Sequence, residues 1–200
     1  YENNLVGTLN LLKTMVKFNV KKIVFSSTCS VYGIPKIIPI PETHNTNPIN
    51  PYGESKYASE KMIDYFSLAY DIDFISLRYF NVSGSDKDYE IGEAHSPETH
   101  IIPLALEVAS GRSTHFEING GDYETSDGTC IRDYIHVIDL SYAHLLALKK
   151  VFNYKASEFI NLGGAKGSSV KEIISLVKKV TGKKLNHKFI KRRKGDPPIL

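Results

Sequence analysis

The sequence predicts an α/β fold with a mostly parallel sheet, on three observations. Segments whose apolar residues recur at helical spacing alternate with short apolar runs along the whole chain. Those runs are too brief for helices and read as strands buried on both faces, as parallel strands beneath crossover helices are. The 200 residues are 42% hydrophobic and 24% charged, the balance of an ordinary globular chain with enough apolar material for a core.

Taken in order, Leu5, Leu9, Leu12 and Val16 fall at i, i+4, i+7 and i+11, one face of a first helix. Lys21-Lys22 then leads into Ile23-Val24-Phe25, a strand ending in Ser26-Ser27-Thr28. Pro35 to Pro51 carries five prolines and is loop. Helical spacing resumes at Tyr52, with Met62, Ile63, Phe66, Ala69 and Tyr70 on one side, and Phe74 to Phe80 reads as a second buried strand. Polar, irregular Gly84 to Pro97 precedes an apolar helix from Ile101 to Ser110. His115 to Ile118 is a short strand, Gly120 to Gly128 a turn-rich loop, Val137 to Lys150 a helix and Glu158 to Leu162 a strand. Gly163-Gly164-Ala165-Lys166-Gly167 lacks the spacing of a phosphate loop and reads as a tight turn. Ser169-x-x-Glu172 is a capping box opening a helix whose apolar face is Val170, Ile173, Ile174, Val177 and Val180, and Gly182 stops it.

Composition narrows the function classes. No stretch approaches the roughly 18 uninterrupted apolar residues of a membrane helix. Two cysteines, Cys29 and Cys130, make no disulfide scaffold and suit a reducing compartment, and no basic-then-apolar leader opens the chain, so a cytoplasmic protein is expected. The opening residues run straight into a helical pattern, as in a chain cut within a fold. The net charge of +3 hides a cluster in which Lys183, Lys184, Lys188, Lys191, Arg192, Arg193 and Lys194 put seven cations into twelve residues. Only Phe189 interleaves with them, so no nucleic-acid partner is expected. A solvated basic face, or a small anion held by one or two arginines, fits better. His95, His100, His115, His136, His144 and His187 show no metal-ligand spacing with one another or with the cysteines, and no metal is expected. Asn81-Val82-Ser83 has the form of a glycosylation sequon, which the missing leader discounts. Cys29 has no histidine near it in sequence and is read as a structural thiol.

The candidate chemistry lies in Pro51-Tyr52-Gly53-Glu54-Ser55-Lys56. On a helix, i and i+4 stack on one face, so the Lys56 ammonium is expected beneath the Tyr52 phenol. An unperturbed phenol ionises near pH 10, and a fixed cation would lower that value and make Tyr52 a usable proton acceptor. Thr28, 24 residues earlier at the end of a strand, stands where ligands bind in sheets of this kind and could hydrogen-bond the same substrate oxygen. An exposed surface pair and a strand-end cap are the plain alternatives for these residues.

Hydroxyl, phenol and ammonium in this order resemble the catalytic arrangement of the short-chain dehydrogenase/reductase superfamily. Asn3-Asn4-x-x-Gly7-Thr8, Ser30-Val31-Tyr32-Gly33 and Arg78-Tyr79-Phe80-Asn81 extend the resemblance to its sugar-nucleotide-modifying branch. Three narrower stretches resemble the UDP-glucose 4-epimerases: His95-Ser96-Pro97-Glu98-Thr99-His100-Ile101-Ile102-Pro103, the run from Asp127 to Val137, and Arg192-Arg193-x-Gly195-Asp196. The matches span Tyr1 to Leu200.

The resemblance implies a partial doubly wound, Rossmann-like sheet. Residues 1–81 and 133–163 would be the remainder of an NAD-binding domain, and 82–132 and 164–200 an incomplete UDP-sugar domain. It implies interconversion of UDP-glucose and UDP-galactose: Tyr52 exchanges the proton of the sugar 4-hydroxyl while C4 gives a hydride to NAD. Thr28 would hold the same oxygen, and Lys56 the nicotinamide ribose. Asn3 and Phe80 match cofactor-contacting positions. Asn81, Thr99, His100, Ile101, Asn119, Arg132, Arg193 and Asp196 match positions around the UDP-sugar. A guanidinium forks onto two oxygens, which suits Arg132 and Arg193 to a diphosphate. Asp196 suits ribose hydroxyls.

Thr28 replaces the serine of many relatives, Asn119 stands where an aromatic residue often packs on uracil, and Leu200 falls at the position gating an N-acetyl group. The Gly-x-x-Gly-x-x-Gly turn that receives a pyrophosphate has no counterpart here, so the chain alone is not expected to hold NAD tightly. Relatives are commonly homodimers. A UDP-N-acetylglucosamine or UDP-pentose 4-epimerase, and a non-catalytic UDP-sugar-binding remnant, remain open. A 4,6-dehydratase is disfavoured because Cys29-Ser30 occupy the positions of its Asp-Glu pair.

Overall fold

A computed structural model describes residues 1–200. A π-helical turn, Glu2–Val6, runs into α1 (Gly7–Lys17), and β1 (Lys22–Thr28) ends in a 3-10 turn, Cys29–Tyr32. After the proline-rich loop come α2 (Pro51–Tyr70), β2 (Asp73–Tyr79) and β3 (Asn81–Ser83). A long loop leads to α3 (Ile101–Ala109), β4 (Phe116–Asn119), β5 (Ile131–His136) and α4 (Val137–Asn153). The chain closes with β6 (Ser157–Leu162), β7 (Gly167–Ser169), α5 (Val170–Thr181) and β8 (His187–Ile190). No helix is long and apolar enough to cross a membrane.

The strands form three small sheets: β1-β2-β6, β3-β5-β7 and β4-β8. Every pairing is parallel except β5 with β7. In the first sheet, β2 alternates faces with period two. Phe74 packs with Leu12, Met15, Ile63 and Ile72 beneath α1 and α2, while Ile75 and Leu77 pack with Ala147, Val151 and Ala156 beneath α4. Helices on both faces make this a doubly wound layer. A separate core of Ala105, Val108, Phe116, Ile118, Ile173, Ile174, Val177 and Leu185 joins α3, α5 and β4.

Ile23 and Phe25 of β1 pack against the α1/α2 core and Val24 against the α4 core, so both faces of the strand are covered as expected. Two sequence expectations need correction. Ala69 and Tyr70 are exposed in the last turn of α2. Val180 is 76% exposed in the last turn of α5, one residue from its C-terminus, so the packed stripe ends at Val177. The capping box is present as read: Ser169 accepts from the Glu172 N–H, the Glu172 carboxylate accepts from the Ser169 N–H, and Gly182 ends the helix in the left-handed conformation.

On the α2 face of β2, Ser76 and Arg78 meet Glu60 of α2. Glu60 is 1% and Arg78 5% exposed, so the pair is buried. Arg78 donates from Nε to Glu60 Oε1 at 2.9 Å and from Nη2 to Oε2 at 2.7 Å, and Ser76 Oγ donates to Oε1 at 3.1 Å. Arg78 Nη1 donates to the Tyr32 hydroxyl at 2.9 Å, which donates to Asn161 Oδ1 at 2.7 Å. Breaking a buried pair of this kind by removing one charge costs about 3–5 kcal/mol. Glu60→Gln is therefore expected to lower the unfolding free energy by that amount, read from the urea midpoint and slope by circular dichroism. A midpoint within error of the parent would show that the pair carries no such weight.

Candidate active site

The first turn of α2 is fixed before Tyr52 can be placed. Asn50 Oδ1 accepts from the Gly53 N–H at 2.8 Å and Pro51 opens the helix, both favourable at an N-terminus. Gly53 lies against the turn that follows β1: a Cβ there would stand 2.6 Å from the Ser30 carbonyl oxygen. A residue with a side chain would push α2 off that turn. The close approach brings Tyr52 beside Thr28, whose Oγ1 accepts from the Ser30 N–H at 3.2 Å. Thr28, Tyr52 and Phe80 line one cavity of 830 Å³. Ser27 Oγ, next to Thr28, is buried without a hydrogen-bond partner.

The Lys56 ammonium donates to the Ser26 carbonyl at 3.0 Å and lies 5.1 Å from the centre of the Phe25 ring. An ammonium beside a strand takes the nearest free carbonyl, and here that carbonyl belongs to β1. The titration expectation changes with it. Burial raises the Tyr52 phenol above its ordinary value, against the opposite pull of the Thr28 side chain. Burial also lowers the Lys56 ammonium. Tyr52 is thus a protonated phenol at neutral pH, the form that gives a proton back to a substrate oxygen. Accepting one requires a further positive charge.

A second cavity of 1260 Å³ is lined by Asn81, Thr99, His100, Ile101, Asn119, Arg132, Arg193 and Asp196 together. These residues come from β3, the start of α3, the ends of β4 and β5, and the last ten residues of the chain. Asn81, His100, Arg132 and Asp196 border both cavities, which therefore share a wall. Lys56 and Asn3 line neither; Asn3 is exposed and donates to the Asn4 side chain at 3.3 Å. Arg132 pairs with the Asp196 carboxylate and donates to the Ile131 carbonyl at 2.7 Å.

This layout has close counterparts among known proteins. The profile of the NAD dependent epimerase/dehydratase family matches residues 1–163. The chain belongs to that family. It is 51% identical over 200 residues to a UDP-glucose 4-epimerase of Halalkalibacterium halodurans and 50% identical to one of Lacticaseibacillus casei. In both cases the match takes in 100% of this chain and 60% of the relative, so the chain spans about three fifths of the length of the curated relatives it matches. Among solved structures, UDP-glucose 4-epimerase from Brucella ovis in complex with NAD superposes with a TM-score of 0.94 at 46% identity, covering 100% of this chain and 62% of that one. The Bifidobacterium longum enzyme in complex with NAD+ and UDP gives 0.96 at 39%, covering 100% and 60%.

Other features of this epimerase/dehydratase-family chain fall into place around the cavities. In the Gly163–Gly167 turn a carboxylate already takes two amides: Asp133 accepts from the N–H groups of Gly164 and Ala165 at 2.7 and 3.0 Å. Cys29 is buried and its thiol is pushed up to about 12 by burial, so it is inert at neutral pH. The basic stretch is partly neutralised, Lys188 by Glu117 and Arg192 by Asp122, whereas Arg193 makes no ion pair and faces the cavity. Carboxylates, which the reading of histidines and cysteines did not include, join two of the histidines in space: Glu93, His95, Glu98 and His100 converge.

The Tyr52 phenol is expected to ionise above its ordinary value of 10 in the ligand-free chain. An ultraviolet difference titration against Tyr52→Phe should show the missing phenolate only above that pH. A midpoint below it would mean that Lys56 acts on the phenol directly.

Proposed function

We propose that this chain supplies the proton-transfer and nucleotide-sugar-binding parts of an NAD-dependent UDP-glucose 4-epimerase, interconverting UDP-glucose and UDP-galactose through a 4-keto sugar. The observation that carries this is the shared wall. The Thr28 hydroxyl and the Tyr52 phenol line one cavity, Arg193 lines its neighbour, and Arg132, Asn81, His100 and Asp196 border both. A nucleoside diphosphate sugar has that distribution of chemistry along its length, with a hydroxylated ring at one end and two charged phosphates in its middle.

The donor set at the β1 end fits a nicotinamide dinucleotide: the Thr28 hydroxyl, the Phe80 ring and, one turn along α2, the Lys56 ammonium. NAD+ bound there supplies the hydride acceptor and a positive ring. Tyr52 holds and moves the proton of the sugar 4-hydroxyl, and Thr28 orients the same oxygen. Lys56 gives its ammonium to ribose hydroxyls. Arg132 and Arg193 fork onto the diphosphate, and Asp196 accepts from ribose hydroxyls. In this proposal residues 1–81 and 133–163 serve the cofactor, and 82–132 and 164–200 the UDP-sugar. Homodimer formation is proposed on the exposed Leu11, Phe18, Tyr65 and Leu68 of the α1 and α2 region, and a cytoplasmic setting on the two free thiols.

One observation bears on the neighbouring substrates. Leu200 lines the smaller cavity with Tyr52 and packs against Cys29, Val31 and Tyr32, so its side chain limits the room beside the sugar ring. UDP-N-acetylglucosamine and UDP-pentoses are thereby the competitors to assay beside UDP-galactose.

In the complete protein with NAD, Tyr52→Phe is expected to lower turnover of UDP-galactose by roughly 10²–10⁴, the usual worth of a general acid–base. Unchanged turnover would remove Tyr52 from the chemistry. Arg132→Met is expected to weaken UDP binding by about 10–100-fold, since hydrogen bonds to charged groups contribute ~1.5–3 kcal/mol. Calorimetric titration with UDP measures this without turnover, and an unchanged affinity would place the diphosphate elsewhere.

A further inference from the structure

Four side chains of the loop that enters α3 bring one donor atom each to within 4.8 Å of one another: Glu93, His95, Glu98 and His100. His95 Nδ1 lies 3.0 Å from Glu93 Oε1 and 3.8 Å from Glu98 Oε2. His100 Nδ1 lies 2.5 Å from Glu93 Oε1 and 3.2 Å from Glu98 Oε1. The two imidazoles present the same ring nitrogen to the same two carboxylates, with ring centres 5.1 Å apart and planes tilted by 56°.

We propose that these four residues form a divalent transition-metal site of the zinc type on the wall of the cavity. Zinc holds histidine nitrogen and carboxylate oxygen at about 2.0–2.2 Å in a tetrahedron, which sets neighbouring donors roughly 3.3–3.5 Å apart. The four histidine–carboxylate separations run from 2.5 to 3.8 Å, with Glu98 turning a different oxygen to each histidine, so the ion enters as the side chains rotate to bring one donor each to the tetrahedral edge. Two imidazoles with two carboxylates suit zinc and its neighbours, whereas magnesium and calcium take oxygen ligands.

Glu98 is already oriented. Its Oε1 accepts from the N–H groups of Thr99 and His100 at 2.6 and 2.7 Å, and its side chain is 8% exposed. This is the supporting contact that metal-bound carboxylates commonly have. Glu93, His95 and His100 are open to solvent, which gives the ion a route in. Bound there, it joins the irregular segment after β3 to the first turn of α3, and so fixes the rim shared by the two cavities.

The probe is zinc itself. The chain is stripped with a chelator and titrated with zinc against a chromophoric competitor, and cobalt substitution reads the geometry from its visible d–d absorption. One equivalent of zinc is expected, with cobalt absorption of tetrahedral intensity and no competition from magnesium. His95→Ala and Glu93→Gln, both exposed loop positions, are each expected to weaken binding at least about tenfold, the lower end of what an altered metal site loses. Absence of stoichiometric binding would overturn the site and leave a cluster held by protons alone. Stoichiometric binding that neither substitution weakens would overturn it equally, by placing the ion elsewhere.

Discussion

The buried pair of Glu60 and Arg78 is the constraint on which the site's geometry rests. Two charges taken out of water are costly, and the cost is met only if each polar atom finds a partner. Here Glu60 accepts from Arg78 and Ser76, and Arg78 also donates to Tyr32. The guanidinium lies 5.0 Å from the Tyr32 ring centre and 4.5 Å from that of Phe159, so its faces are covered as well as its edges. Through Tyr32 the network reaches Asn161 of β6, whose side-chain amide donates to the Ile40 carbonyl at 2.8 Å. One ion pair thus ties α2, β2, β6, the turn after Thr28 and the proline-rich loop. Tyr52 rides on α2 and Thr28 precedes that turn, so their mutual placement is inherited from this network.

Much of this was legible in the sequence, and the failures share a cause. Local signals held: the Ser169–Glu172 box, the Gly182 stop and the alternation of strands and helices each depend on a few adjacent residues. Period and cap chemistry are enough to specify them. What could not be seen depends on which carbonyl, carboxylate or strand lies nearest in space. Helical spacing puts Lys56 on the same face as Tyr52 but says nothing of the Ser26 carbonyl that takes its ammonium. Glu60 and Arg78 lie 18 residues apart with no shared motif. Glu93 and Glu98 meet two histidines only through the fold of the loop that carries them.

The larger cavity shows how a late segment completes an early site. Residues 198–200 run alongside β5: the Ile131 N–H donates to the Pro198 carbonyl at 2.8 Å, the Leu200 N–H to the Ile131 carbonyl at 3.1 Å, and the Asp133 N–H to the Leu200 carbonyl at 3.0 Å. This backbone ladder carries Asp196 to Arg132 and sets Arg193 on the same cavity wall. The basic stretch therefore divides by geometry, with Arg192 closed off on Asp122 and Arg193 left facing the cavity.

The Arg132–Asp196 pair also bears on discrimination. An arginine already engaged with a carboxylate presents no bare positive well to the cavity, and the carboxylate beside it repels any anion that offers acceptors only. A fully ionised anion such as sulfate would have to displace Asp196 with nothing to give it in return. A molecule that carries hydroxyl donors next to its phosphates, as in the proposed function, would satisfy both members at once, the guanidinium with oxygen and the carboxylate with hydrogen. The pair would thereby work as a two-key lock, and an anion without hydroxyls holds only one of the keys.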